Sequence, residues 1–393
     1  MIRLAILVTL AAAAFGQSQQ QQPWSEQPPL PQGPPYAQQR PPQYPPAGQP
    51  GYGQGVPPQQ DEAGFAREHG VARISFMNGN VSVRRGDSGE AVAAIVNAPL
   101  TIGDRVVTAD GARAEVELDF ANLVRLGPST EVRFSELEQG RYQIQIATGT
   151  TSFRILRDTD AQIEISTPSV AVHPLRKGIY RVTVKPDGSS EITVRGGGDA
   201  EIASTGGVEP LHAGHTMLAR GPANDPEFQT VAVIPADEFD SWAASRDKTL
   251  ESARSPQYVN RNVYGTEDMD QYGQWQPDPG NPSYGNVWVP QQDPGWAPYQ
   301  CGRWVWMDFY GWTWVGCEPW AWAPYHFGNW YYGGLGWAWY PGPAVASVFW
   351  RPALVGFFGF GAPGAGGGFG FGFGYGSLGW VPLAPGERFI PWY

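Results

Sequence analysis

The stretch 272–350 repeats itself every 26 residues, and the repeat is built of aromatic rings and glycine rather than aliphatic side chains. Tyr284-Gly285 recurs as Tyr310-Gly311, and Trp288 as Trp314. Trp296-Ala297-Pro298-Tyr299 recurs as Trp322-Ala323-Pro324-Tyr325, and Gly302-x-Trp304 as Gly328-x-Trp330. A degenerate third copy begins at Gly336-Trp337-Ala338-Trp339, and an earlier fragment is Tyr272-Gly273-Gln274-Trp275. A fixed period of this length marks a supersecondary unit. Trp304-Val305-Trp306 and Trp312-Thr313-Trp314 flank Asp308-Phe309-Tyr310-Gly311, which predicts a β-hairpin centred on Phe309. Its register pairs Trp304 with Trp314 and Trp306 with Trp312, all four on one face. The same register sets Cys301 opposite Cys317 on the other face. These are the only two cysteines, and a disulfide between them is expected in an oxidising compartment.

The rings have two readings. Isolated two-stranded hairpins are marginal, and few aliphatic residues surround these, so Trp and Tyr would serve as the core themselves. Alternatively, Trp288, Trp296, Tyr299, Trp304, Trp314, Trp322, Tyr325 and Trp330 form an exposed platform on which flat indole faces stack against sugar rings. Adhesion or envelope contact through the same patches is a further use.

Upstream the character changes. Met1–Gly16 reads as a secretory signal peptide: Arg3, an apolar run over Leu4–Phe15, then Ala14-Phe15-Gly16 as a small-residue cleavage site. Residues 17–69 are rich in Gln, Pro, Gly, Ser and Tyr, with no regular aliphatic period, which predicts a disordered spacer. Over 70–222, Val, Ile, Thr and Leu alternate with polar residues in short runs such as Ala72–Phe76, Val81–Arg85, Gln162–Ser166 and Gly178–Val184. Turn residues punctuate them, as in Asn78-Gly79-Asn80 and Pro186-Asp187-Gly188. This pattern predicts an antiparallel sandwich or roll with one core. Residues 223–271 are a linker containing one helix over 235–255, with Pro235 in the first turn and Phe239, Trp242, Ala243 and Leu250 on one face. After the aromatic repeat, 351–393 includes the run Gly356–Gly379 and is expected to be a Gly/Phe-rich low-complexity tail.

The β-rich segment resembles the FecR domain. The resemblance rests on Gly79-Asn80-Val81-Ser82-Val83, on Gly103-Asp104-Arg105-Val106-Val107-Thr108, and on Ala112–Leu118 followed by Leu123-Val124-Arg125-Leu126. It continues in Gly149–Ile155 and Ile165–Val172; the following Gly178-Ile179-Tyr180 lacks the Thr of the family pattern. The resemblance implies a β-rich extracytoplasmic domain. The family's name-giving member relays a signal from an outer-membrane receptor to a sigma factor, which needs a cytoplasmic segment and a membrane span ahead of the domain. Here a signal peptide and spacer stand in that place, so only the domain class transfers. Residues 235–360 resemble the Trp-rich region of unknown function that follows FecR domains in exported bacterial proteins, which adds no activity.

Chemistry is sparse. The net charge of −11 disfavours nucleic acid as a partner. Gly359-Phe360-Gly361-Ala362-Pro363-Gly364 fits a dinucleotide fingerprint only by letter, since Pro lies inside it and no helix follows. His212 and His215 have no third ligand nearby, and Glu267, Asp268 and Asp270 lack the Gly-centred loop of a calcium site. No cofactor, metal or catalytic residue is expected, and no membrane span beyond the leader. The composite expectation is a mainly β, non-catalytic, exported protein, periplasmic or at the cell surface. Its FecR-like domain would bind an envelope protein. A carbohydrate- or cell-wall-binding role for the aromatic repeat is the alternative, and a carboxylate-based hydrolase a remote one.

Overall fold

The computed structural model describes residues 59–221, 224–344, 348–359 and 378–390. The leader, the spacer to residue 58 and the centre of the Gly/Phe run lie outside the described residues. The rest is mainly β. Among the described residues no helix is long and apolar enough to cross a membrane.

Alternating strands build two facing sheets between residues 72 and 232. The first contains Ala72–Asn78, Arg113–Glu117, Asn122–Leu126, Gly178–Val184, Ser190–Arg195, His215–Arg220 and Glu227–Ala232. The second contains Ala91–Ala93, Val81–Arg84, Arg105–Thr108, Glu131–Glu138, Gln162–Ser166, Ala171–Pro174, Asp199–Ser204 and Gly207–His212. One long strand, Arg141–Ile155, belongs to both. Its residues 141–148 pair with Glu131–Glu138, and 149–155 pair with Gly178–Val184. The change of sheet falls at Gly149, whose φ is +91°; a Cβ there would lie 2.3 Å from Thr130 Oγ1. Inward residues such as Val106, Phe134, Ile144, Val182, Ile192 and Met217 form one mainly aliphatic core. Most pairings are antiparallel, as expected. Gln162–Ser166 departs from that and runs parallel to residues 141–145.

Three helical findings refine the sequence reading. Helix α1 (Gln59–Glu68) occupies part of the segment expected to be disordered. It is held because Phe65 stacks on His69 at 4.3 Å and meets Tyr310 edge-on at 5.4 Å, while Gly70 N–H donates to Leu137. Helix α2 (Glu238–Ser252) starts later than residue 235, because Asp237 and Asp240 form a reciprocal capping box. Helix α3 (Trp322–His326) is the second Trp-Ala-Pro-Tyr copy; the first copy is an irregular turn with Tyr299 at φ +63°.

The aromatic half consists of hairpins. The first joins Gly273–Pro277 to Asn286–Pro290, the second Gly302–Met307 to Gly311–Gly316, and the third Asn329–Gly333 to Gly336–Tyr340. The first and third share a four-stranded sheet through the pair Trp288 and Trp339. A fourth, Val355–Gly359 with Leu378–Pro382, falls within 351–393, the segment read as a Gly/Phe-rich low-complexity tail, and gives its described flanks a strand pairing. Its Phe357 and Trp380 pack against Trp304, so the flanks of the low-complexity run belong to the folded body.

Candidate interaction site

One rule generates the first three hairpins. Each carries a cross-strand indole pair: Trp275 with Trp288, Trp304 with Trp314, and Trp330 with Trp339. Each has a glycine two residues before the first Trp of the pair. A Cβ on Gly273, Gly302 or Gly328 would lie 2.5, 2.6 or 2.8 Å from the indole of Trp288, Trp314 or Trp339 respectively. The glycine leaves room for the diagonal ring, a cross-strand contact that side chains of this size reach. The Gly-x-Trp element of the repeat is therefore a packing device.

The eight aromatic residues singled out from the sequence form no open platform. Trp288, Tyr299, Trp314, Trp322, Tyr325 and Trp330 are buried, and Trp296 and Trp304 are half-buried. They pack on one another: Tyr299 lies 4.5 Å from Tyr325, Trp296 lies 5.5 Å from Trp330, and Trp304 meets Trp314 at 5.2 Å with the planes 68° apart. The Tyr299 hydroxyl donates to the Tyr325 carbonyl, and the Tyr325 hydroxyl to Glu318 at 2.9 Å. Burial raises the pKa of both phenols. Cys301 and Cys317 are joined by a disulfide with Cα atoms 5.4 Å apart, one step beyond the last ladder pair, Gly302 and Gly316.

The exposed rings are others. Trp306 (52% exposed) and Trp312 (45%) pair across the outer end of the second hairpin with planes 87° apart, and Phe309 stands at its tip. Tyr332 (73%) and Trp337 form the equivalent outer pair of the third hairpin. The sequence held no sign separating these rings from the inner ones, because inner and outer pairs share the same pleat face and differ only in distance from the core.

Helix α2 covers part of the outer surface of the first sheet through ion pairs. On the first sheet, Glu115 accepts from Arg125 (2.8 Å) and from Arg246 of α2 (2.7 Å). Asp247 of α2 pairs with Arg125 and Arg154, both at 2.7 Å, and Arg181 binds Asp237 and Asp240. Burial alone would raise the Glu115 carboxyl; Arg125 and Arg246 instead hold it at about 2. At the seam with the aromatic half, buried Arg73 donates to Glu117 (2.6 Å), Asn97 (3.0 Å) and Asp268 (3.0 Å). Burial, with Glu267 and Asp268 nearby, pushes Glu117 up to about 8 against the pull of Arg73. Asn97 in turn donates to the carbonyls of Glu318 and Pro319. A cavity of about 360 Å³ opens beside this seam, lined by His69, Asp119, Phe120, Tyr142, Tyr264 and Trp350 among others. Asp119 already accepts from Ala121, Asn122 and the Tyr142 hydroxyl, so it is a structural acceptor rather than a free base. Among the described residues, no group of three or more His, Cys, Asp or Glu is placed to hold a metal ion.

Comparison with known proteins matches residues 104–198 to the FecR protein family and residues 266–387 to a family of unknown function (DUF6600). No curated protein matches. Two crystal structures of a candidate anti-sigma factor from Parabacteroides distasonis are similar to parts of the chain at 18% identity, with TM-scores of 0.29 and 0.30. They cover 33% and 35% of this chain, which spans 59% and 64% of theirs.

Proposed function

We propose that this chain, which carries a FecR domain followed by a DUF6600 region, is an exported, non-catalytic protein of the cell envelope that acts by binding another envelope protein. The apolar leader and the bonded cysteine pair support export. The observation that carries the binding role is the outer aromatic pair Trp306 and Trp312, left at the surface of a body whose other described indoles are buried or half-buried. Exposed aromatic patches of this kind mark protein contacts. A photo-crosslinker placed at Asp308 in living cells tests it. The expected result is a discrete adduct with an envelope protein that disappears in Trp306→Ala plus Trp312→Ala; an adduct that persists in that variant refutes the assignment. Mature protein starting at Gln17 is the expected product of export, whereas cytoplasmic full-length protein with reduced cysteines would refute that part. The carbohydrate reading of the eight repeat residues finds less support, since most of those rings face inward. A hydrolase finds none in the buried acids Glu115 and Asp247, which are held in ion pairs.

A further inference from the structure

We propose that the outer face of the second sheet binds an acidic polysaccharide along a ladder of three arginines, Arg84, Arg105 and Arg133. This site is separate from the hairpin ends and does not depend on the protein-binding role proposed for them. The three residues come from different stretches of chain, yet the register makes them neighbours. Arg84 is the partner of Arg105, and Arg105 of Arg133. All three point outward: their neighbours Val83, Val106, Val132 and Phe134 fill the core. Strands are spaced about 4.8 Å apart, so the row spans about 10 Å. Gln145 extends it as the partner of Arg133, and Ser166 as the partner of Gln145.

Like charges set directly across from each other destabilise a sheet. Here the chain carries a net −11, so acidic residues to relieve them are plentiful. One does: Glu131 pairs with Arg105 at 2.9 Å. Arg84 and Arg133 are exposed and have no carboxylate partner among the described residues. On the opposite sheet Arg125, Arg154 and Arg181 are by contrast paired with carboxylates. A groove of about 330 Å³ lies at the Arg105 and Arg133 end of the ladder, lined also by Glu131, Gln145, Ser166 and Thr167. The geometry thus provides unpaired guanidinium forks, each able to take a carboxylate through two hydrogen bonds. Beside them stand amide and hydroxyl groups suited to sugar hydroxyls. The other residues beside the arginines on this face are small or polar except Val107: Ser82 pairs with Val107 and Ala93, and Ala91 with Arg84.

The test uses the purified full chain and polygalacturonate as probe, titrated calorimetrically at 50 and 200 mM salt. The expected result is binding at low salt that weakens at high salt, as for a charge-driven contact. Arg84→Gln plus Arg133→Gln should weaken it at least about tenfold, since two charge-assisted contacts are lost. That variant should melt no lower than the parent, because repulsion is relieved; Arg84→Lys plus Arg133→Lys, which keeps the charge, should bind at an intermediate level. No binding at 50 mM salt overturns the proposal, as does equal binding by the Gln variant. Poly-glutamate bound as tightly as polygalacturonate overturns the assignment to a glycan, and so does binding of neutral dextran.

Discussion

The sandwich and the aromatic half face the same problem, the exclusion of water from a β structure, and use opposite side chains for it. In the sandwich, short branched residues such as Val124, Val182, Ile192 and Ile202 fill the space between two sheets that support each other. The hairpins have no such second sheet of comparable size. They rely on rings that bury 150–250 Å² each, by order of magnitude. Bulk has two consequences. The ring needs a glycine across the strand, as at Gly302 and Gly328. It also carries an N–H into the interior. Trp339 donates to Phe327 and Trp380 to Tyr299, whereas Trp288, Trp314, Trp322 and Trp330 have no acceptor among the described residues. A buried donor left unpaired costs about 1–3 kcal/mol. Indoles thus let a small sheet hold a core, with less polar satisfaction and with a disulfide beside it.

The sharpest way to break the comparison is to remove a ring. Trp330→Ala should destabilise the aromatic half by about 3–5 kcal/mol. Tryptophan fluorescence in denaturant should report the loss, while amide exchange in Val182 and Ile192 changes little. If the sandwich loses protection equally, the halves are one cooperative unit. Opening the Cys301–Cys317 bridge, by reductant or by Cys301→Ser with Cys317→Ser, should lower stability by about 3 kcal/mol for a closed loop of this length. The shift should appear in the hairpin signal first.

Acid provides a third test. Burial lowers the pKa of His326, which packs on Trp350, to about 4. Its folded pKa lies below the unfolded value of 6.5, so its contribution is full above pH 6.5 and is lost as pH falls toward 4. The loss amounts to about 3 kcal/mol. Glu117, raised to about 8, acts in the opposite sense over this range, so the check is the difference between parent and His326→Gln: relative to the variant, the parent should lose this amount between denaturant midpoints at pH 7 and pH 4.5. Glu115 in the sandwich acts lower, since its contribution disappears only between pH 4.5 and about 2. The smallest effect belongs to the aliphatic core: Ile192→Val should cost about 0.5–1.5 kcal/mol, read from the thermal midpoint.

Much of the architecture was legible where local pattern and packing agree. Gln162–Ser166 and Gly178–Val184 appear as strands with the bounds read from their alternation, and the symmetry of Trp304–Trp306 about Phe309 gives the observed register. The parallel pairing of Gln162–Ser166 was hidden because orientation depends on partners distant in the chain. Helix α1 was hidden because Phe65 gains order only through Tyr310, far along the chain. At the candidate site, the repeat named the right residue types but not their exposure. Asp247 and Arg125 look like surface residues by type; only the docking of α2 makes them interior. The arginine ladder was equally invisible, since its members become adjacent only through sheet register.

The strand Arg141–Ile155 ties the two sheets together. A single backbone threads both walls of the sandwich, so neither wall can slide by one residue without dragging the other. An alignment error there would turn Ile144 and Phe153 outward together. A substitution that disturbs the register of this strand is therefore felt in both walls of the FecR region.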